Sequence, residues 1–143
     1  MSKKWSRWLL AIIVAALGVM QMMPVDRTNP KVESDVGAPP EVSAILHQAC
    51  YDCHSHETRW PWYGKVAPSS WLLAHHVKKG RGDLNFSQWP VMDQEALEHA
   101  FHDIEEQLEK GKMPLRSYRW IHPEARLTEA QRAVLLQWAR SSL

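Results

Sequence analysis

Cysteine is scarce in this chain: Cys50 and Cys53 are the only two in 143 residues. A disulfide framework is thereby excluded, since a bridge across two intervening residues closes too short a loop to stabilise much. A structural zinc site is poorly provided for. It wants four ligands, usually from a second CxxC or a paired HxxxH, so scattered histidines would have to complete it. An excess of one charge is also missing. The formal net charge is +1, and beyond residue 30 the balance is 13 basic against 15 acidic residues. Nothing there resembles the basic face of a nucleic-acid binder, so no nucleic-acid partner is expected. No convincing alternation of apolar and polar residues occurs anywhere, which predicts an all-α domain. The absence of a βαβ pattern beside the cysteines also weakens a thioredoxin-like dithiol.

What the chain does have is the pentapeptide Cys50-Tyr51-Asp52-Cys53-His54. Two cysteines three apart, with histidine directly after the second, form the attachment pattern for c-type haem. One helical turn separates the sulfurs, so both can reach one edge of a porphyrin and add to its vinyl groups. His54 then projects toward the iron as the proximal imidazole. The expected cofactor is one covalently attached haem c. Eight tryptophans and eight histidines are many for this length. Tryptophan suits a domain wrapped round a flat apolar group, and it equally suits an ordinary aromatic core.

The chain divides into three. Residues 1–25 carry Lys3, Lys4 and Arg7 and then the run Trp8 to Val25, interrupted only by Gln21 and Pro24. That run has the length of a transmembrane helix, and its positive flank places the N-terminus in the cytoplasm. The competing reading is a cleaved secretory signal, but no small-x-small site ends the run. The expectation is a signal-anchor: single-pass in a bacterial inner membrane, with the C-terminal domain in the periplasm. Residues 26–40 are polar and contain several prolines, and read as a linker. Residues 41–143 read as one domain. Glu41 to Ala49 has helical spacing, and the chain from Pro68 reads as a short helix closed by Gly80, with Gly80-Arg81-Gly82 as a turn. The aromatic stretch from Trp60 to Gly64 reads as a loop that could wall the haem. A longer helix starts at Asp93, has the stripe Leu97, Ala100, Phe101, Ile104 and Leu108, and ends at Gly111. Residues 112–127 read as a loop. The last helix is opened by a Thr128/Gln131 capping box and buries Ala130, Val134, Leu135 and Trp138.

The face of the iron opposite His54 decides the chemistry. A methionine there raises the potential and suits electron transfer, whereas an open face suits gas binding or peroxide chemistry. Met113 is the outstanding candidate. Apart from Met92 it is the only methionine after His54, and it precedes Pro114 in a loop between two helices. His75 is the alternative distal ligand, because it shares a helix face with Trp71, Leu72 and Lys78. His102 is a further distal candidate if the site is open. His47, His56, His99 and His122 read as surface or supporting residues.

The stretch Cys50–Trp89, with Arg59-Trp60-Pro61-Trp62-Tyr63, Ala67-Pro68 and Leu84-Asn85-Phe86-Ser87, resembles the small bacterial haem-binding domain proteins. Gly111-Lys112-Met113-Pro114-Leu115 and His122-Pro123-Glu124-Ala125-Arg126-Leu127 extend the resemblance over about residues 24–140. It implies a class I cytochrome c-like single-haem fold behind an N-terminal membrane segment. Cys50 and Cys53 would be the thioether sites, and His54 and Met113 the axial pair. The helix before Cys50 would cross the terminal helix, pairing Ile45 or Leu46 with Leu135 or Trp138. The function expected first is a membrane-tethered electron carrier serving larger redox proteins. A haem enzyme or a gas or redox sensor is the alternative, and a haem-free dithiol oxidoreductase is a weaker third.

Overall fold

The computed structural model describes residues 3–91 and 93–142, and Met92 lies outside them. Among the described residues every regular element is helical. In order these are α1 Lys3–Gln21, α2 Pro40–Ala49, α3 Tyr51–His54, α4 Ser69–Asp83, α5 Gln94–Glu109, α6 Arg116–Ile121 and α7 Glu129–Ser141. Tighter 3-10 turns occupy Trp62–Lys65, Phe86–Val91 and Pro123–Ala125.

The core is built by α2, α5 and α7, each amphipathic by the same spacing rule. Val42, Ile45 and Leu46 of α2 meet Leu135 and Ala139 of α7, and Leu46 and Leu135 are each only 1% exposed. The expected crossing of α2 with α7 is present. The buried face of α7 is turned slightly from the expected stripe: Leu135 and Ala139 are buried and Ala130 is exposed. An aromatic chain closes one side of the core. Tyr51 stacks on Phe86 at 5.1 Å, Phe86 on Trp89 at 5.7 Å, and Trp89 meets Phe101 edge-on at 5.2 Å. Burying each such side chain stabilises the fold by about 2–3 kcal/mol.

Local signals place the helix ends. Pro40 stands at the first position of α2, where its missing N–H costs nothing. Asp93 caps α5 by accepting from the Ala96 N–H at 2.8 Å, and Thr128 and Gln131 form the capping box of α7. At the other end of α5, Gly111 takes φ +60°. The Gly111 N–H donates to the Leu108 carbonyl at 3.1 Å and the Lys112 N–H to the Gln107 carbonyl at 3.0 Å, a Schellman turn.

Four features differ from what the sequence suggests. Helix α4 continues through Gly80 and Gly82 to Asp83 instead of stopping at the glycines. Gly80 is needed for close packing: a Cβ there would lie 2.6 Å from the Cys53 carbonyl oxygen. Gly80→Ala is therefore expected to destabilise by about 1–3 kcal/mol, the usual cost of overpacking, as measured by chemical denaturation. Second, the stretch 112–127 contains α6, which has no side-chain cap and buries none of its residues, so nothing in its pattern announces it. Third, residues 26–40 lie along the domain. Glu33 and Ser34 N–H groups donate to the Ser87 carbonyl, Asn29 to that of Thr58, and Tyr51 donates its hydroxyl to Asp35.

The fourth is α1. No helix among the described residues is long and apolar enough to cross a membrane. The expected span from Trp8 to Val25 is cut short because α1 ends at Gln21, whose side chain is bonded to the Lys65 carbonyl and the Ala67 N–H. The apolar stretch left between Arg7 and Gln21 covers about 20 Å of helix, against a hydrocarbon core of about 30 Å. Its side chains are nonetheless bare, with Trp8 at 72% and Ile12 at 63% exposure.

Candidate functional site

Residues of the pentapeptide, α4 and the loop before α6 converge on one groove. Helix α2 ends at Ala49, the chain tightens at Cys50, and one turn of α3 carries Cys53 and His54. Two adjoining cavities of about 260 and 520 Å³ share Cys50, His54, Lys79, Asp83, Met113 and Pro114 in their walls. Leu46, Phe86, Ile104, Leu108 and Leu135 make the larger one an apolar slot in the core. Such dimensions suit a flat organic group with few polar contacts.

His54 is oriented for ligation. Its Nδ1 lies 3.1 Å from the Leu84 carbonyl. A carbonyl only accepts, so Nδ1 carries the proton and Nε2 keeps its lone pair. Burial pushes the imidazole pKa down, against the opposing pull of the Leu84 and Gly80 carbonyls, which favours the neutral ring. This carbonyl–imidazole arrangement is the outer-shell support that fixes a ligating histidine's tautomer.

The two cysteines are free thiols in half-buried positions. Burial first, and then the neighbouring Cys53, pushes Cys50 up to about 12, and Cys53 is pushed up to about 11 chiefly by burial. A dithiol enzyme needs the reverse, a depressed thiol that is thiolate at neutral pH. Among the described residues no group of three or more His, Cys, Asp or Glu could hold a metal ion, so the zinc reading finds no ligand set. The residues do fit a haem: two thiols a turn apart, an imidazole with a free Nε2, a thioether and an apolar slot.

Met113 reaches the groove because the Gly111 turn reverses the chain at the end of α5; the Met113 N–H is also held on the Gln107 carbonyl at 3.4 Å. His75 lines the smaller cavity but is exposed, and it also borders a second hollow beside Trp71 and Lys78. The half-buried histidine of the smaller cavity is its neighbour His76, whose pKa burial and His75 lower. His102 is exposed on α5 and lines neither cavity of the groove. The aromatic stretch does not wall the groove either: Trp60, Trp62 and Tyr63 all lie outside its lining, and Trp62 is 76% exposed.

Several supporting residues carry no sequence signal. Asp52, between the cysteines, accepts from the Arg59 N–H at 2.9 Å, from two Arg59 guanidinium nitrogens and from the Tyr118 hydroxyl at 2.6 Å. Burial by itself raises this carboxyl, but the Arg59 and Tyr118 donors outweigh it, so its pKa lies below the usual value. A carboxyl depressed in the fold contributes stability that is present above an unfolded value of about 3.9 and lost as pH falls through the folded one. The difference in melting temperature between the protein and Asp52→Asn should hold level down to about pH 4 and shrink below it. Asp52→Asn should start lower and fall less steeply in acid, and an equal acid slope would contradict this role. His56 is buried and structural: its Nδ1 donates to the Lys31 carbonyl at 2.8 Å, and its Nε2 accepts from the Asn85 amide at 2.9 Å.

An all-helical domain whose apolar groove gathers two cysteines, a tautomer-fixed imidazole and a thioether defines a haem-binding protein. The chain matches the haem-binding domain family over residues 15–141 and belongs to that family. Comparison with curated proteins found no match, and neither did comparison with solved structures.

Proposed function

We propose that this protein is an exported c-type cytochrome that carries single electrons between larger redox proteins and performs no catalysis of its own. Cys50 and Cys53 would hold one haem through thioethers, and His54 and Met113 would ligate its iron. The observation that carries this reading is His54: its Nδ1–H is committed to the Leu84 carbonyl, and it shares one groove with Met113 and both cysteines. The bound group supplies a one-electron iron couple. The protein's part is to hold it rigidly, to exclude water with Leu46, Phe86 and Leu135, and to raise its potential with a neutral sulfur ligand.

The alternative, an enzyme or sensor with an open sixth position, needs a distal group poised in the groove. The exposure of His75 and His102 weighs against those two residues in that role. The N-terminal segment supports export. Three basic residues precede an apolar core that falls within the length of a secretory signal core, and the exposed side chains of α1 suit attachment to the cytoplasmic membrane. The haem domain would then lie in the periplasm. Coexpression with the haem-attachment machinery, followed by acid–acetone extraction of the periplasmic and membrane fractions, tests this. Haem that stays with the polypeptide supports the reading, and haem that extracts freely refutes covalent attachment.

A further inference from the structure

The loop that delivers Met113 is packed into the domain by one buried residue, Pro114. Behind Met113 stands the Gly111 turn; ahead, Pro114 and Leu115 lead into α6, six residues that bury nothing and lack a side-chain cap. Polar contacts hold this helix to the haem side of the domain. The Tyr118 hydroxyl donates to Asp52 Oδ2 at 2.6 Å across 66 residues of sequence, landing between the two cysteines. Asp52 is itself clamped by Arg59, which donates from its backbone N–H and two guanidinium nitrogens. The Tyr118 ring lines the groove and stacks on His122 at 4.3 Å. His122 in turn bonds Glu124 at 2.7 Å through Nδ1 and the Tyr63 hydroxyl at 2.6 Å through Nε2, which fixes the far end of α6.

We infer that the Tyr118–Asp52 hydrogen bond is a latch that closes the Met113 loop over the groove, so that Tyr118 and Asp52 are positioning residues for the sixth ligand. The inference rests on the reading of Met113 as an iron ligand. A thioether is a neutral ligand on a short loop, so the equilibrium between ligated and displaced Met113 follows the stability of the loop that presents it. The latch joins that loop directly to the turn carrying Cys50, Cys53 and His54. Any motion lifting α6 breaks this bond, and the Gly111 turn alone does not oppose it.

Tyr118→Phe removes the hydroxyl and keeps the ring that stacks on His122. In the exported holoprotein, imidazole binding to the ferric form should strengthen by roughly 10- to 50-fold, because a 10- to 100-fold loosening, the usual worth of a hydrogen bond to a charged group, acts on a site open about 1% of the time. Thermal unfolding of the same samples reports any general loosening, and the double-mutant cycle with Met113→Ala separates the two effects. In the Met113→Ala background, Tyr118→Phe should add nothing to imidazole binding. The latch is overturned if Tyr118→Phe binds imidazole as the wild type does, or if it strengthens binding equally without Met113. A wild-type ferric spectrum with no sign of sulfur ligation overturns the Met113 reading and the latch together, a result distinct from either of those.

Discussion

Met113→Ala is expected to strengthen imidazole binding to the ferric protein by on the order of 100-fold, while the covalent attachment stays intact. With methionine in place, an added ligand can bind only in the fraction of molecules whose sixth position is free. A site open about 1% of the time lowers the apparent affinity by that factor. Removing the thioether removes the competition, while Cys50, Cys53 and His54 still fix the group from the proximal side. His75→Ala is the informative companion. His75 is exposed and borders a second hollow, so its loss should leave imidazole binding unchanged. A large effect of His75→Ala, with none from Met113→Ala, would transfer the sixth position to the histidine. Optical titration of the two variants side by side decides between them.

The second large effect is expected at Arg81, whose side chain makes four hydrogen bonds. It donates to the Ser55 carbonyl at 2.8 Å, the Thr28 carbonyl at 3.0 Å, Asn29 Oδ1 at 2.8 Å and Thr58 Oγ1 at 2.9 Å. One guanidinium thus joins the segment before the domain, the loop leaving the haem motif, and α4. Ser55 and Thr58 are 0% and 5% exposed, so water does not freely replace the lost donors. Arg81→Ala should cost about 3–5 kcal/mol, since each buried acceptor left unpaired costs about 1–3 kcal/mol. Arg81→Lys should recover little, because a compact ammonium cannot span four acceptors set out for a planar fork. Urea unfolding of the three proteins checks this, and a loss below about 1 kcal/mol for Arg81→Ala would contradict it.

What the sequence discloses here follows from the range of the forces involved. Helices α2, α5 and α7 are legible because their apolar stripes and caps are local: Asp93 accepts from Ala96, and Thr128 from Gln131, a few residues away. The haem motif is legible for the same reason, with both thiols and the imidazole inside five residues. Gly80 misleads because glycine serves two purposes. It commonly ends helices, and here it lets α4 approach the Cys53 backbone. Helix α6 is invisible because six residues with none buried carry no period. The orientation of His75 and His76 depends on how α4 packs, which a helical wheel drawn on a shorter helix does not capture. Asp52, Tyr118 and His122 are unreadable for a deeper reason: the contacts that tie them across the site, Tyr118 to Asp52 and His122 to Tyr63, span 66 and 59 residues. A spacing rule has no purchase on such contacts. The apolar run near the N-terminus is legible as hydrophobic, yet its helical extent is set by Gln21, which bonds residues more than forty positions on.

The most direct test of the account is the optical spectrum, ferric and ferrous, of the exported holoprotein, with pyridine added to a parallel sample to count thioethers. The expected result is a haem with two thioethers and a low-spin ferric iron carrying the weak sulfur-to-iron charge-transfer band, which disappears in Met113→Ala. A high-spin ferric spectrum whose reduced form shifts at once with carbon monoxide would contradict it, and would make this protein a ligand-binding haem protein with its sixth position open.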